Sequence, residues 1–412
     1  MNEPDSSVVN RMLNDRDVLI TAYARTPIGS FGGSLSDIPA TGLAAIAIKG
    51  ALTKLSGAVR TDEIDSVVLG HVLTGGCGQA TARQAASGAD LPMSTPCFSV
   101  DKVCASGMKA LAIATASIGC GSENICVVGG MESMSRVPYQ LDSLRLGKRM
   151  GHDQIMDGLV RDGLWDVYNN EHMGTCTEKV NEKYGITREA MDAYAIETNR
   201  RARIAHSEGH FQDEIIPVKT PKGMVSMDEQ VERVKPEKLS TLKASFKPNG
   251  TITAGNASPV SDGAAALIVM SRSAARERGV RPLARVVVCA DAARDPHEFS
   301  IAPALAIEKA LVKSGLNYRD ISVWEMNEAF ATVVLANVAI AGHDKIKMED
   351  VNILGGALSL GHPLGCSGAR IVCTLITAMK LKSARYGCAA ICNGGGGATA
   401  VILELEKGYS AL

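Results

Sequence analysis

Neither sign of charge is in excess. The chain sets 43 Lys and Arg against 44 Asp and Glu, a formal net charge of -1. It therefore has no electrostatic footprint for nucleic acid or an anionic membrane surface, and an anionic ligand has to be met by a local basic patch. No C-x-x-C pair occurs among the eleven cysteines. That excludes a paired-thiol redox motif and matches the usage of reduced, buried intracellular thiols. No run reaches the ~18 uninterrupted apolar residues of a membrane span, so no membrane partner is expected. No G-x-x-x-x-G-K-[ST] loop is present to cradle a nucleotide phosphate. The first sixteen residues mix Glu3, Asp5 and Asp15 with Arg11 and Arg16, which is neither a secretory signal nor an Arg-rich, acid-poor transit peptide. The final Tyr409-Ser-Ala-Leu412 lacks the Lys of a peroxisomal ending.

What is present is ordinary globular composition over 412 residues, 46% hydrophobic and 21% charged, enough for two or three domains. Strand-like segments at 17–22, 64–69 and 125–128 alternate with Ala-rich helical runs at 43–55 and from Cys104 to Ile118. The order returns as strand 284–289, helix 304–314, strand 321–325, helix 367–379 and strand 388–392. Alternation of this kind predicts a layered α/β fold. The halves also echo one another in residues. Cys104-Ala-Ser-Gly-Met-Lys109 opens one helix as Gly365-Cys-Ser-Gly-Ala-Arg370 opens the other, which an internal duplication explains. Between them, Met134 to Pro259 is richer in Met, His, Tyr, Asp and Lys, carries a helix from Thr187 to His206, and reads as an inserted domain over the site.

Three short motifs carry the chemistry. Cys104 follows a strand and begins a helix, where unpaired amides and the macrodipole are expected to stabilise a thiolate. His362, in the Gly-rich run Gly361-His-Pro-Leu-Gly365, is the expected base for that thiol. Cys392 ends an apolar strand and enters four glycines, whose backbone can approach a ligand closely. Two thiols and one imidazole suggest acyl transfer joined to a second proton transfer, with Gly-flanked amides facing a developing oxyanion.

Val103-Cys-Ala-Ser-Gly107, Asn327-Glu-Ala-Phe330, Gly361-His-Pro-Leu-Gly365 and Cys392-Asn-Gly394 resemble the four signature blocks of the thiolase family, over residues 17 to 406. Because the insert carries His172-Met-Gly174, the chain is most similar to the short-chain, mitochondrial type. The resemblance implies an α/β thiolase fold of two duplicated βαβαβαββ halves in a five-layered αβαβα arrangement. The halves are residues 1–133 with 260–281 and residues 282–412, and the inserted loop domain is 134–259. It implies a reversible Claisen condensation of two acetyl-CoA molecules with ping-pong order. Cys104 is then the acylated nucleophile, His362 takes its proton, and Cys392 handles the α-proton. His362 with a water on Asn327 forms one oxyanion hole, and the amides of Cys104 and Gly394 form the other. CoA contacts fall on His172, Met173, Ala257, Ser258, Ala329 and Phe330, with Arg233 at the phosphates.

The same resemblance places Phe299 against the substrate α-carbon, which raises acceptance of 2-methyl-branched acetoacetyl-CoA, although Ser300 stands where that type has Pro. That type also binds potassium through a Tyr where this chain has Val231. The missing oxygen argues against potassium activation, and no other metal or covalent cofactor is expected. CoA thioesters are the expected small-molecule partners. A homotetramer and a mitochondrial setting, with a cytoplasmic one as the alternative, follow from the resemblance alone. A decarboxylating ketoacyl synthase would share the fold without a second catalytic Cys, so Cys392 argues against it.

Overall fold

The central strands of the large sheet are buried on both faces, which is why those segments read as apolar runs and not as alternations. The computed structural model describes residues 14–406. Its strands are β1 (Val18–Arg25), β2 (Ser66–Gly70), β3 (Cys97–Val100), β4 (Ile125–Ser133), β5 (Ser261–Ser271), β6 (Ala284–Ala293), β7 (Ile321–Met326), β8 (Tyr386–Asn393) and β9 (Gly397–Leu405). They lie side by side in the order β7-β8-β9-β6-β1-β5-β4-β2-β3, with Gly29–Ser30 added against β5. β2 pairs in parallel with β3 and β4, β7 does so with β8, and the other pairs are antiparallel. The two halves of the sheet meet where Leu19 and Ile20 pair with Arg285 and Ala284.

The main helices are α1 (Ala40–Thr53), α2 (Thr81–Gly88), α3 (Ser106–Cys120), α4 (Met173–Tyr184), α5 (Arg188–Ser207), α6 (Ala302–Ser314), α7 (Ala331–Ala341) and α8 (Leu364–Lys382). Because side chains alternate along a strand, each sheet half feeds two cores. In β5, Ala265, Leu267 and Val269 face α3 and α8, while Ala264, Ala266 and Ile268 face the layer of α1 and α2. In β9, Val401 and Leu403 face the α3–α8 layer, and Ala400 and Ile402 face α6 and α7. The result is the αβαβα stack that the resemblance implies, with α3 and α8 packed together at its centre. α8 is long and apolar enough by composition to cross a membrane, but 89% of it is buried inside the fold, as befits the central helix of five layers.

The repeated Ser-Gly at the start of α3 and α8 has a packing cause. A Cβ on Gly107 would come within 2.7 Å of the Ala369 amide nitrogen and 2.9 Å of the Gly365 carbonyl. One on Gly130 would overlap that same carbonyl oxygen, and one on Gly368 the Met108 amide. The first turns of the two helices cross backbone against backbone, and only hydrogen fits between. Gly130→Val, in a strand where Val is otherwise favoured, is expected to destabilise the protein by about 3 kcal/mol. The check is a lower urea midpoint at unchanged slope.

Between β4 and β5 the chain makes an excursion that contains α4 and α5; among the described residues none of its short strands joins the large sheet. Thr187 caps α5 by accepting from the Ala190 amide at 3.2 Å, so the predicted helix starts where the sequence places it. The excursion is tied down at Glu328. That buried carboxylate accepts from Tyr194 Oη at 2.6 Å, Thr198 Oγ1 at 2.9 Å and Asn352 Nδ2 at 2.7 Å.

Candidate active site

Cys104 sits on a tight turn between β3 and α3, not inside the helix. Val103 holds φ at +48°, a left-handed conformation that a β-branched residue rarely adopts. The turn is pinned on both sides. Asp101 Oδ1 accepts from the Val103 amide at 2.8 Å, while Ser106 Oγ accepts from the Lys102 amide at 2.8 Å and donates to the Val103 carbonyl at 2.6 Å. Backbone strain thus sits one residue before the thiol, where the surrounding bonds over-determine it.

The thiol itself departs from the expectation of a lowered pKa. Burial pushes it up to about 12, and the amides of Gly394 and of Cys104, which face the sulfur, pull the other way without prevailing. α3 starts at Ser106, so the sulfur lies beyond its first turn, and desolvation outweighs the helix terminus. Cys104 is a neutral thiol at rest. The same two amides are the pair expected to hold an oxyanion.

His362 is placed by a glycine and held at both ring nitrogens. Gly361 has φ +118°, and a Cβ there would run into Ile28 and Ser261. Ser261 Oγ accepts from the His362 amide at 3.1 Å. Ser367 Oγ lies 2.6 Å from Nδ1 and 2.9 Å from the Pro363 carbonyl. Its single proton goes to that carbonyl, so it accepts from Nδ1–H, and Nε2 carries the lone pair. Asn327 Nδ2 is 3.4 Å from Nε2, on the donor side. Burial first, and the Arg370 charge second, lower the His362 pKa to about 3, which keeps the ring neutral. A neutral imidazole whose Nε2 lone pair meets only this long Asn327 contact can take a proton from a thiol, as the sequence reading requires. Asn327 is fully buried, and its Oδ1 has no hydrogen-bond partner among the described residues, which leaves an acceptor for a water beside the ring.

Cys392, at the end of β8, is fully buried on the opposite sheet face from Ile391. Burial and the neighbouring Cys104 raise its pKa well above the ordinary thiol value. Gly395 and Gly396 follow with φ of +81° and +84°, turning the chain so that the Gly394 amide meets Cys104.

Cys104, His362 and Gly394 line one cavity of about 210 Å³ together with His172, Met173, Ala257, Ser258, Phe299, Ala329 and Phe330. One wall is built from two of the sequence blocks. Ala257 bridges Phe330, the Ser258 amide donates to the Ala329 carbonyl at 3.0 Å, and the Ala331 amide donates to the Asn256 carbonyl at 2.9 Å. His172 caps α4, with Nδ1 accepting from the Gly174 amide at 3.0 Å. Phe246 escapes the sequence reading. It stacks on His172 at 4.6 Å and meets Phe330 edge-on at 6.2 Å, and a Cβ on Gly174 would overlap its ring. The one signal for it is a glycine directly after Met173. Cys392 and Asn327 lie behind the lining and not on it.

Arg233 is not brought to this cavity. It is half-exposed and pairs with Glu229. Val231 is fully buried among apolar neighbours, and its side chain offers a cation no oxygen. The potassium site of the mitochondrial type does not fit this residue.

Residues 18–273 match the family model described as Thiolase, N-terminal domain, and residues 280–405 the one described as Thiolase, C-terminal domain. The chain is 50% identical over 395 residues to the mitochondrial acetyl-CoA acetyltransferase of Homo sapiens, covering 94% of this chain and 90% of that protein. It is 49% identical over 400 residues to acetyl-CoA acetyltransferase 2 of Arabidopsis thaliana, covering 95% and 98%. In structure it is similar to the Acat5 thiolase of Ascaris suum, solved with coenzyme A, at a TM-score of 0.90 and 41% identity, covering 95% of this chain and 100% of that one.

Proposed function

Since the chain belongs to the thiolase family and is an acyltransferase, we propose that it is an acetyl-CoA C-acetyltransferase that condenses two acetyl-CoA molecules and cleaves acetoacetyl-CoA in reverse. The observation that carries the reading is the meeting of a neutral Cys104 thiol, a neutral His362 ring and the Gly394 amide in one cavity. The names of the relatives and the coenzyme A complex of the Ascaris protein support the substrate class.

In the cleavage direction, Cys104 Sγ attacks the 3-keto carbon of acetoacetyl-CoA and passes its proton to His362 Nε2. The C2–C3 bond breaks, and the acetyl-CoA carbanion takes a proton from the Cys392 thiol. The Cys392 thiolate then removes the thiol proton of free CoA, whose sulfur attacks acetyl-Cys104. Cys104 leaves and recovers its proton from His362. Condensation is the same sequence reversed. A high Cys392 pKa suits this role, because it narrows the gap to the weakly acidic α-carbon. Imidazolium Nε2–H and a water on Asn327 would hold one oxyanion, and the amides of Cys104 and Gly394 the other.

Phe299 is buried at the cavity edge, and we read 2-methyl-branched acetoacetyl-CoA as a second substrate. Potassium has no part in this mechanism. The division into halves 1–133 with 260–281 and 282–412 around an insert 134–259, homotetrameric assembly and a mitochondrial setting complete the reading. The test is thiolysis of acetoacetyl-CoA and of its 2-methyl analogue by wild type and Cys104→Ser, with mass spectrometry of the protein. Wild type is expected to carry an acetyl group on Cys104, and Cys104→Ser to lose activity by about 1,000-fold or more. Wild type that neither acetylates nor cleaves would make the chain a binder on a thiolase scaffold. Cleavage of only the unbranched substrate would remove the branched one.

A further inference from the structure

Behind His362 lies a charged pair that the mechanism above does not use. Arg370 Nη1 is 3.7 Å from Glu325 Oε2, and each side chain is 1% exposed. Nε, Nη1 and Nη2 of Arg370 and both oxygens of Glu325 have no hydrogen-bond partner among the described residues. Buried polar groups are nearly always bonded, so five such atoms facing one another need a reason. The fold does satisfy a buried guanidinium elsewhere. Arg25 donates to Glu214 at 2.9 Å and to Asp228 at 2.6 and 2.9 Å. The fold can thus satisfy a fully buried guanidinium, and at Arg370 it leaves all three nitrogens without a hydrogen-bond partner among the described residues.

Position supplies the reason. Glu325 shares the face of Val323, which packs in the α3–α8 core, and Asn327 follows directly after the end of β7. Ser367 and Arg370 are three apart on α8 and share one face. β7 therefore carries the group that meets His362 Nε2, α8 carries the group that holds Nδ1, and the pair spans the same two elements one layer deeper. Glu328 from the loop after β7, Glu214, and Arg201 from α5 also weigh on Glu325, and Cys366 of α8 faces Arg370. Burial pushes the Glu325 carboxyl up, and Arg370 only partly restrains it, so the guanidinium charge near His362 is incompletely cancelled.

We propose that Arg370 and Glu325 are positioning residues for the general base: they fix the spacing of Ser367 and Asn327 around His362, with the Arg370 charge set behind the ring. This rests on His362 being the base. The test measures thiolysis of acetoacetyl-CoA against pH for wild type, Arg370→Met, Arg370→Lys, Glu325→Gln and His362→Asn, with circular dichroism and thermal melts for folding. Arg370→Met is expected to lower kcat by about 10- to 100-fold while KM changes by less than about twofold. Its acid limb should move to higher pH, because removing the cation favours imidazolium. Arg370→Lys should keep the acid limb in place but lose kcat, since an ammonium lacks the planar fork. Glu325→Gln should lower kcat without raising the acid limb.

A merely structural role would lower the melting temperature and leave the acid limb unmoved. Folded Arg370→Met with wild-type kcat and acid limb overturns the proposal. Should that variant fail to fold, wild-type kcat in Arg370→Lys overturns it equally. If His362→Asn retains activity, the base assignment itself has failed; if it is inactive while the Arg370 variants behave as wild type, only the pair has.

Discussion

Cys392→Ser is expected to separate the two halves of the reaction. Incubated with acetyl-CoA, the variant should still place an acetyl group on Cys104, while thiolysis of acetoacetyl-CoA falls by about 100- to 10,000-fold. The asymmetry comes from the leaving groups. CoA departs as a stabilised thiolate, whereas the acetyl-CoA carbanion needs a proton donor in place as the C–C bond breaks. A serine hydroxyl is a far weaker acid than the thiol it replaces. Mass spectrometry of the intact protein and a thiolysis assay on the same sample check both halves at once. Loss of acetylation together with thiolysis would show that the departing CoA thiolate, too, depends on the Cys392 proton. Thiolysis within about tenfold of wild type would remove Cys392 from the chemistry altogether.

The largest expected effect on stability lies at Arg25. Its guanidinium is fully buried, bonded to Glu214 and Asp228, and stacked 5.0 Å over Phe211. Arg25→Met would leave buried Glu214 without its counter-charge and Asp228 with His206 alone, and a loss of about 3–5 kcal/mol is expected, read as a lower urea midpoint. Stability should also change its response to acid. Burial acts to raise the Asp228 pKa, but Arg25 and His206 outweigh it and hold the carboxyl well below its usual range. A folded-state pKa below the unfolded one stabilises the protein above about pH 4 and is lost as pH falls toward the folded value. Arg25→Met should therefore lose most near neutrality and show a shallower decline in acid. An equal loss at every pH would assign the effect to packing alone. Activity is expected to follow, because Asp228 also accepts from the Ile28 amide at 2.8 Å, and Ile28 packs under Gly361, beside His362.

Much of this was legible before any coordinates. Apolar runs flanked by Ala-rich helices announced a sheet covered on both faces, and the echo of Ser-Gly after Cys104 and Cys366 announced two helices in equivalent places. Which residue of each run faces which core was not legible. Val401 and Ala400 look alike in a run that is apolar throughout, and only the crossing of α3 and α8 tells them apart. The reactive cysteine was found by its neighbours, but the weight of burial against the helix start was not. A helix start is visible in sequence, whereas burial of the thiol depends on Val103, Gly394 and His362 meeting from distant parts of the chain. Phe246 and the Arg370–Glu325 pair were missed for a similar reason. A lone aromatic in a polar segment and a charge within a helix each look ordinary until the partner is known.

The backbone crossing of α3 and α8 has a consequence for descent as well as for folding. At most helix contacts, a larger side chain on one partner can be accommodated by a smaller one on the other, so duplicated halves drift apart through paired replacements. Here the atoms that would have to yield are the Gly365 carbonyl and the amides of Met108 and Ala369, which every residue type carries. No second replacement can make room. The two copies of Ser-Gly are thus held alike by geometry, and the ancient doubling of this chain should be easiest to see where its halves touch.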